Sequence, residues 1–250
     1  MAEIANKSVE RSVHIIDVLA ETGGITLSEL SEQIDMPVST VHDYLQSLSA
    51  VGFVAQEDNE YHLTTKFLEI GYKQLHRSEI YTAARPELTK LADETGEHIT
   101  LMIEEGGEGV LIDVQEGDKA VDFLSYPGSR MPLHACAPGK AILAYMNSDR
   151  IDEILDRNDL PALTRNTITD PAVLRDQLAE IREQGYAVDE GERIAGMVLV
   201  AAPILDREER PRASICIAGP RNRFDESRQS ELSSLVKEAV NVVQIQIDYS

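Results

Sequence analysis

Apolar positions recur along this chain at two different periods, and the change of period falls near Gly96. Over residues 8–20, SVERSVHIIDVLA, the spacing predicts an amphipathic helix with Val9, Val13, Ile16 and Leu19 or Ala20 on its buried side. Gly23-Gly24 ends that helix. In the next stretch, TLSELSEQIDMPVSTVHDYLQSLSAVGFVAQEDNEYHL (26–63), Leu27, Leu30 and Ile34 return at three- and four-residue intervals. Thr26 and Glu29 have the spacing of a capping box. Asp35-Met36-Pro37 breaks the run, and Pro37 suits the first turn of a following helix whose stripe is Val41, Leu45 and Leu48. Ser39, Thr40, His42, Asp43 and Gln46 face elsewhere. Gly52 stops this helix, and Phe53-Val54 and Tyr61-His62-Leu63 flank an Asp58-Asn59 turn as two short strands. The order helix, helix, turn, helix, hairpin reads as a winged helix-turn-helix.

In TTKFLEIGYKQLHRS (64–78), Phe67, Leu68, Gly71, Tyr72 and Leu75 sit at helical spacing, which predicts a linker helix with Gly71 as a close-packing point or a break. A further helix is expected from Ile80 to Thr95, carrying Leu88 and Leu91 and interrupted or restarted at Pro86. Beyond Gly96 the texture turns strand-like. EHITLMIEE and GVLIDVQEG flank Gly106-Gly107, and 120–125 is another short strand candidate. A Pro- and Gly-rich loop (126–140) leads into the helix KAILAYM, followed by a short helix over Ser148–Leu155. PAVLRDQLAEIREQGY is a strong helix stopped by Gly185. GMVLVAAPIL and RASICIAGP are continuous apolar strands suited to the middle of a sheet. A closing helix over Glu226–Ile247 carries Leu232, Leu235, Val236, Ala239, Val242 and Val243. The expected class is α+β, with a DNA-binding winged domain at 7–66, a linker helix at 67–80 and a mixed domain at 81–250.

Composition adds bounds. The 250 residues are 42% hydrophobic, enough for a substantial core. No run approaches 18 apolar residues and MAEIANKSVER lacks a signal-peptide core, so a soluble cytoplasmic protein without a membrane partner is expected. Cys136 and Cys216 form no metal-binding or disulfide framework pattern. The net charge of −21 runs against the basic footprint of most DNA binders. Residues 1–77 hold 12 acids and 5 bases, and the remainder 32 acids and 18 bases. Adaptation to a very salty cytoplasm, where charges are screened within a few ångströms, accounts for this, and seven lysines against sixteen arginines fit a halophilic host. The alternative is an interaction module whose winged helix no longer binds DNA.

No catalytic motif is present, and no catalytic residue, cofactor or metal is expected. The six histidines (14, 42, 62, 76, 98 and 134) are scattered. His134 beside Cys136 and the pair Asp189-Glu190 are the nearest approaches to a nucleophile or acid–base set, and both read more simply as loop structure and solvated surface. The polar face of the second motif helix carries more. In this architecture it enters the major groove, where Ser39, Thr40, His42 and Gln46 can bond phosphates and base edges. Asp43 either accepts from a cytosine amino group or orients a neighbour.

SVERSVHIIDVLAE, STVHDYLQSL, GFV…YHLTTKFLEIG, GSRMPLHACAPGKAILAY, RNTITDPAVLRDQLAEIREQGYAVDEGE, GMVLVAAPI and SICIAGP, in this order, resemble the IclR family of transcriptional regulators from about Ser8 to Val243. The resemblance implies a GAF- or PAS-like effector domain, a dimer or tetramer, a double-stranded DNA operator and a small organic effector. It places the effector pocket at Leu124, Ala137, Pro138, Asp189, Leu199, Cys216 and Ala218. Two departures stand out. Val198 and Leu199 replace the family's usual Arg-Cys, and Cys216 and Ala218 replace two serines. The recognition helix has Val38 and Asp43 where basic residues are common. So altered, the pocket offers few side-chain donors, and backbone N–H groups at Ala137 to Gly139 are the one anion-friendly feature. The expected effector is therefore aromatic or weakly polar, with at most one acidic group.

Overall fold

Local capping decides where the first helices begin and end. In the computed structural model, which describes residues 6–121, 125–157 and 160–249, the Asn6 side chain accepts from Ser8 N–H to open α1 (Lys7–Thr22). Gly23 closes it in the left-handed region. After β1 (Ile25–Thr26), the Thr26 hydroxyl accepts from Glu29 N–H at 3.4 Å while Glu29 Oε2 accepts from Thr26 N–H at 3.1 Å. That reciprocal box starts α2 (Leu27–Gln33). Pro37 stands one residue before α3 (Val38–Ala50) as its N-cap rather than inside the first turn. The hairpin β2 (Val54–Glu57) and β3 (Glu60–Leu63) turns on Asp58 and Asn59, both at positive φ, as a two-residue turn matching the strand twist requires. β3 also pairs with β1, giving the order β1-β3-β2.

The buried face of α1 matches expectation at Leu19 and at half-buried Ile16, and differs at Val9 and Val13. Ile15, Val18 and Leu19 enter the core with Leu30, Val41, Leu45, Leu48 and Tyr61, whereas Val9 and Val13 are exposed. Val9 and Val13 lie in the N-terminal half of the helix, ahead of the residues that enter this core. The α3 stripe is as the spacing predicts, with Val41, Leu45 and Leu48 buried.

The chain divides between Gln74 and Leu75 into two units. The linker stretch is not one helix through residue 80. α4 (Lys66–His76) ends first, and Ser78 caps a new helix, α5 (Glu79–Thr95), by accepting from Tyr81 N–H. Gly71 lies inside α4 with open space around it, so it neither breaks the helix nor marks a close approach within the chain. Pro86 does not interrupt α5: Ala84, Leu88 and Leu91, on either side of it, are all held in the core.

The second unit is a six-stranded antiparallel sheet of order β6-β5-β4-β9-β8-β7. Its strands are β4 (His98–Glu105), β5 (Glu108–Glu116), β6 (Arg130–Pro132), β7 (Ala187–Asp189), β8 (Met197–Leu205) and β9 (Pro211–Pro220). Both faces are covered, which is why β8 and β9 read as unbroken apolar runs. Val198, Val200, Ala202, Ile215 and Ile217 pack with α5 and with α9 (Glu226–Asp248). Leu199, Ala201, Cys216 and Ala218 face the other way, into a second core with α6 (Ala137–Leu143) and α8 (Pro171–Gln184). α7 (Ser148–Arg157) adds Ile151, Ile154 and Leu155 to that side.

The expected 126–140 loop contains β6 and a 3₁₀ turn over Leu133–Ala135, and α6 begins at Ala137, earlier than the Lys140 start the pattern suggested. β7 is too short to leave a periodic signal. Of the strand expected over 120–125, residues 122–124 lie outside the described residues, and Ala120, Val121 and Ser125 belong to no strand.

Candidate DNA-reading helix and effector site

Burying one stripe of α3 fixes which side chains it can offer. With Val41, Leu45 and Leu48 in the core, Ser39, Asp43 and Gln46 are exposed and Thr40 and His42 half-exposed. Gln46 Nε2 lies 3.4 Å from His42 Nε2, and the other ring nitrogen, Nδ1, is 4.0 Å from Asp43 Oδ1. The imidazole thus sits between an amide and a carboxylate, and Asp43 is placed to orient it. Val38 is exposed at the helix start. Tyr44 ties α3 to α1: a hydrogen bond from Ser8, helped by Arg11, lowers its phenol below the usual value.

In the second unit, the sheet face carrying Leu199, Cys216 and Ala218 meets Ala137 in one apolar cluster. Pro138 and Gly139 are buried beside it, and the Ser214 hydroxyl donates to Pro138 O at 2.9 Å. Gly139 is required here, because a Cβ would come 2.2 Å from the Leu133 carbonyl oxygen. Asp189 ends β7 opposite Leu199 and is fully buried. The structure therefore brings together Ala137, Pro138, Gly139, Asp189, Leu199, Cys216 and Ala218, while Leu124 lies outside the described residues. Val198 faces the α5–α9 side, so its departure from the family pattern leaves this face unchanged.

The polar groups of this site are the part that sequence reasoning missed. Lys140, wholly buried on α6, places Nζ 2.5 Å from both carboxylate oxygens of Glu192. Glu192 follows β7 in a loop that Thr164, Asn166 and Thr167 hold through bonds to the carbonyls of Glu190, Gly191 and Glu192. Glu192 N–H donates to Asp189 Oδ1 at 2.5 Å and Arg193 N–H to Oδ2 at 3.3 Å. Burial still outweighs those bonds and raises the Asp189 carboxyl to about 6. The signal was available: a lysine inside an apolar helix requires a buried counter-charge, and Lys140 stands alone in APGKAIL.

The anion-friendly helix start expected at Ala137 to Gly139 is used within the chain. Gly139 N–H bonds the Cys136 thiol, and Lys140 N–H donates to Cys136 O at 3.0 Å. Burial pushes the Cys136 thiol up to about 11, and its Sγ donates to Pro132 O. His134 bonds Pro161 O instead, and burial lowers its pKa. Neither is poised as nucleophile or base. Among the described residues no cluster of His, Cys, Asp or Glu could hold a metal ion. Among them, too, no helix is long and apolar enough to cross a membrane.

A winged helix-turn-helix joined to a two-faced antiparallel sheet with a buried polar site defines a ligand-responsive DNA-binding regulator. Residues 8–58 match the IclR helix-turn-helix domain and residues 72–245 match the bacterial transcriptional regulator IclR C-terminal domain, so the chain belongs to the IclR family. It is 36% identical to the HTH-type transcriptional regulator BhcR of Paracoccus denitrificans over 93% of this chain and 84% of that one. It is 31% identical to the "Probable HTH-type transcriptional regulator ArcR" of Halobacterium salinarum, over 96% and 94% respectively. The crystal structure of Thermotoga maritima IclR superposes with a TM-score of 0.82 at 33% identity, covering 96% of this chain and 98% of that one. The chain is accordingly a DNA-binding transcriptional regulator modulated by a small-molecule effector.

Two outcomes follow from the buried charges. Lys140→Met strands the Glu192 carboxylate and is expected to cost about 3–5 kcal/mol in urea unfolding, most of it regained in Lys140→Met/Glu192→Leu. For Asp189, a folded-state pKa raised to about 6 from 3.8 means the folded protein holds the proton more tightly. That contribution is full below pH 3.8 and lost as pH rises through 6. Wild-type stability relative to Asp189→Asn should therefore fall by about 3 kcal/mol between acid and neutral pH, measured by denaturant unfolding across that range.

Proposed function

We propose that α3 is the operator-reading helix, with Ser39, Thr40, His42, Asp43 and Gln46 at the DNA, and that the effector binds at the sheet face beside α6. The observation that carries this is the division of α3 into a buried apolar stripe and a polar face whose His42 is linked to Gln46 and Asp43. Such a set presents donors and acceptors of the kind that base edges in a major groove can pair with. Residues 7–66 serve DNA, 67–80 link, and 81–250 receive the effector. The apolar character of Ala137, Pro138, Leu199 and Ala218 on that face suits a ring or alkyl body carrying at most one acidic group. Cys216 and Asp189 adjoin them.

The protein acts as an oligomer, and α4 supports a two-fold dimer of winged domains reading a palindrome. No residue of α4 is buried, and Leu68, Ile70 and Tyr72 are exposed, Leu68 to 71%. A cytoplasm rich in salt would screen the net charge of −21, and a relative from Halobacterium salinarum is consistent with that setting.

Thr40→Ala/His42→Ala is expected to weaken specific operator binding by about 2–4 kcal/mol with the fold retained, since neither residue lies on the buried stripe. A mobility-shift assay from low to molar KCl, using the DNA upstream of the protein's own gene, checks it, and an unchanged footprint would sink the assignment. For the dimer, Phe67 packs against Phe53 in a tilted ring pair with centroids 5.0 Å apart, so changing it would disturb the fold itself. Leu68→Asp is the cleaner substitution, and light scattering should show dissociation together with weakened DNA binding.

A further inference from the structure

The DNA-binding unit presents its reading surface without a single Lys or Arg. From Thr26 to Thr65, through α2, the turn, α3 and the β2–β3 hairpin, the chain holds seven acids, and its only basic side chains are His42 and His62. Glu29 and Glu32 lie on α2, Asp35 in the turn, Asp43 on α3, and Glu57, Asp58 and Glu60 on the hairpin; all are exposed. Among the described residues the ion-pair neighbours of these carboxylates are histidines, His42 for Asp43 and His62 for Glu60, and no Lys or Arg reaches any of them. Four bases remain in Met1–Gln74, against twelve acids. Lys66 Nζ donates to Val51 O at 2.7 Å and lies over the Phe53 ring, and Lys73 is paired with Glu69. That leaves Lys7 and Arg11, both exposed on α1, and Arg11 bonds the Tyr44 phenol.

A DNA binder ordinarily neutralises phosphates with Lys and Arg and releases their condensed counterions, so its affinity falls as salt rises. The surface from 26 to 65 has nothing with which to do this. In a helix-turn-helix the first helix crosses the phosphate backbone and the second enters a groove about 12 Å wide. α2 thus carries Glu29 and Glu32 toward phosphates, and α3 carries Asp43 between two rows of them. Charges repel over a screening length of about 30 Å at 0.01 M salt, which takes in every acid of so small a unit, but only about 3 Å at 1 M. The hydrogen bonds offered by Ser39, Thr40 and Gln46 act over about 3 Å and survive that screening. We infer that this unit binds its operator by taking up cations instead of releasing them: potassium ions gathered between the acids of α2, α3 and the hairpin and the DNA phosphates supply the positive charge that the chain lacks, and affinity rises with salt. This rests on the placement of α3 at the DNA proposed above. The ions form an atmosphere, and among the described residues no cluster of His, Cys, Asp or Glu makes a fixed metal site.

Fluorescence anisotropy of the full chain on the duplex upstream of its own gene, with excess unrelated duplex as competitor, tests this from about 0.1 to about 2 M KCl. Far-UV circular dichroism restricts the comparison to salt concentrations at which each protein is folded. Net uptake of even one cation gives a log–log slope near +1, so wild-type affinity should rise about tenfold or more over the range. Glu32→Gln/Glu57→Gln/Asp58→Asn removes three acids that neither cap a helix nor belong to the residues placed at the DNA, and asparagine suits the positive φ at 58. This variant should bind about threefold or more tighter than wild type at about 0.1 M KCl and match it near 2 M, which a general salting-out of the complex would not produce. Should it fail to fold, Glu32→Gln and Glu57→Gln taken singly should each shift low-salt affinity the same way. Specific binding that stays flat or weakens with salt, or variants that match wild type at low salt, would overturn this inference and leave the operator reading standing. Absence of specific binding at every KCl concentration would overturn both.

Discussion

Lys140 carries its terminal nitrogen to a place that water does not reach, and the Glu192 carboxylate meets it there with both oxygens. Glu192 lies fifty-two residues further on, at the far side of α7, α8 and β7. Holding it against Lys140 draws the β7–β8 loop onto α6, and the bonds from Thr164, Asn166 and Thr167 keep the loop from relaxing outward. Once the loop is fixed, its backbone N–H groups point at Asp189 and its next side chain, Arg193, is committed to the Ser125 side. One buried pair thus sets the positions of most polar groups around the candidate effector site.

The two units solve the same problem with different periods. In α3 a three- and four-residue repeat sends Val41, Leu45 and Leu48 inward and leaves the polar residues between them for a partner. In β8 and β9 the period is two, and both faces are claimed. One face closes the core under α5 and α9, and the other forms the lining opposite α6. The site is made of the same strands that make the core, which gives its apolar residues rigid support.

How far this could be read from the sequence depended on how local the cause was. The capping box, the α3 stripe, the Asp58-Asn59 turn and the apolar strands are short-range patterns, and they were legible. In α1 the spacing finds Leu19 and Ile16 but not the choice of Ile15 and Val18 over Val9 and Val13, which depends on the extent of a core supplied from elsewhere in the chain. Pro86 was given too much weight because packing of Ala84, Leu88 and Leu91 holds the helix across it. The apolar residues of the proposed effector site are those that the resemblance implies. The polar groups Lys140, Glu192 and Arg193 are not, since they acquire meaning only when the loop folds back.

The alternation along β8 and β9 also limits how this protein can change over generations. Because neighbouring residues face opposite cores, inserting or deleting one residue inside either strand would move every later side chain to the wrong face. Changes to the face that meets α6 must therefore arise by substitution at 199, 201, 216 and 218, with Val198, Val200, Ile215 and Ile217 held to the demands of the opposite layer. Changes in length are confined to the strand ends and to the loops. The β7–β8 loop, which carries Arg193, can vary its charge within the strict requirement that Glu192 still reach Lys140.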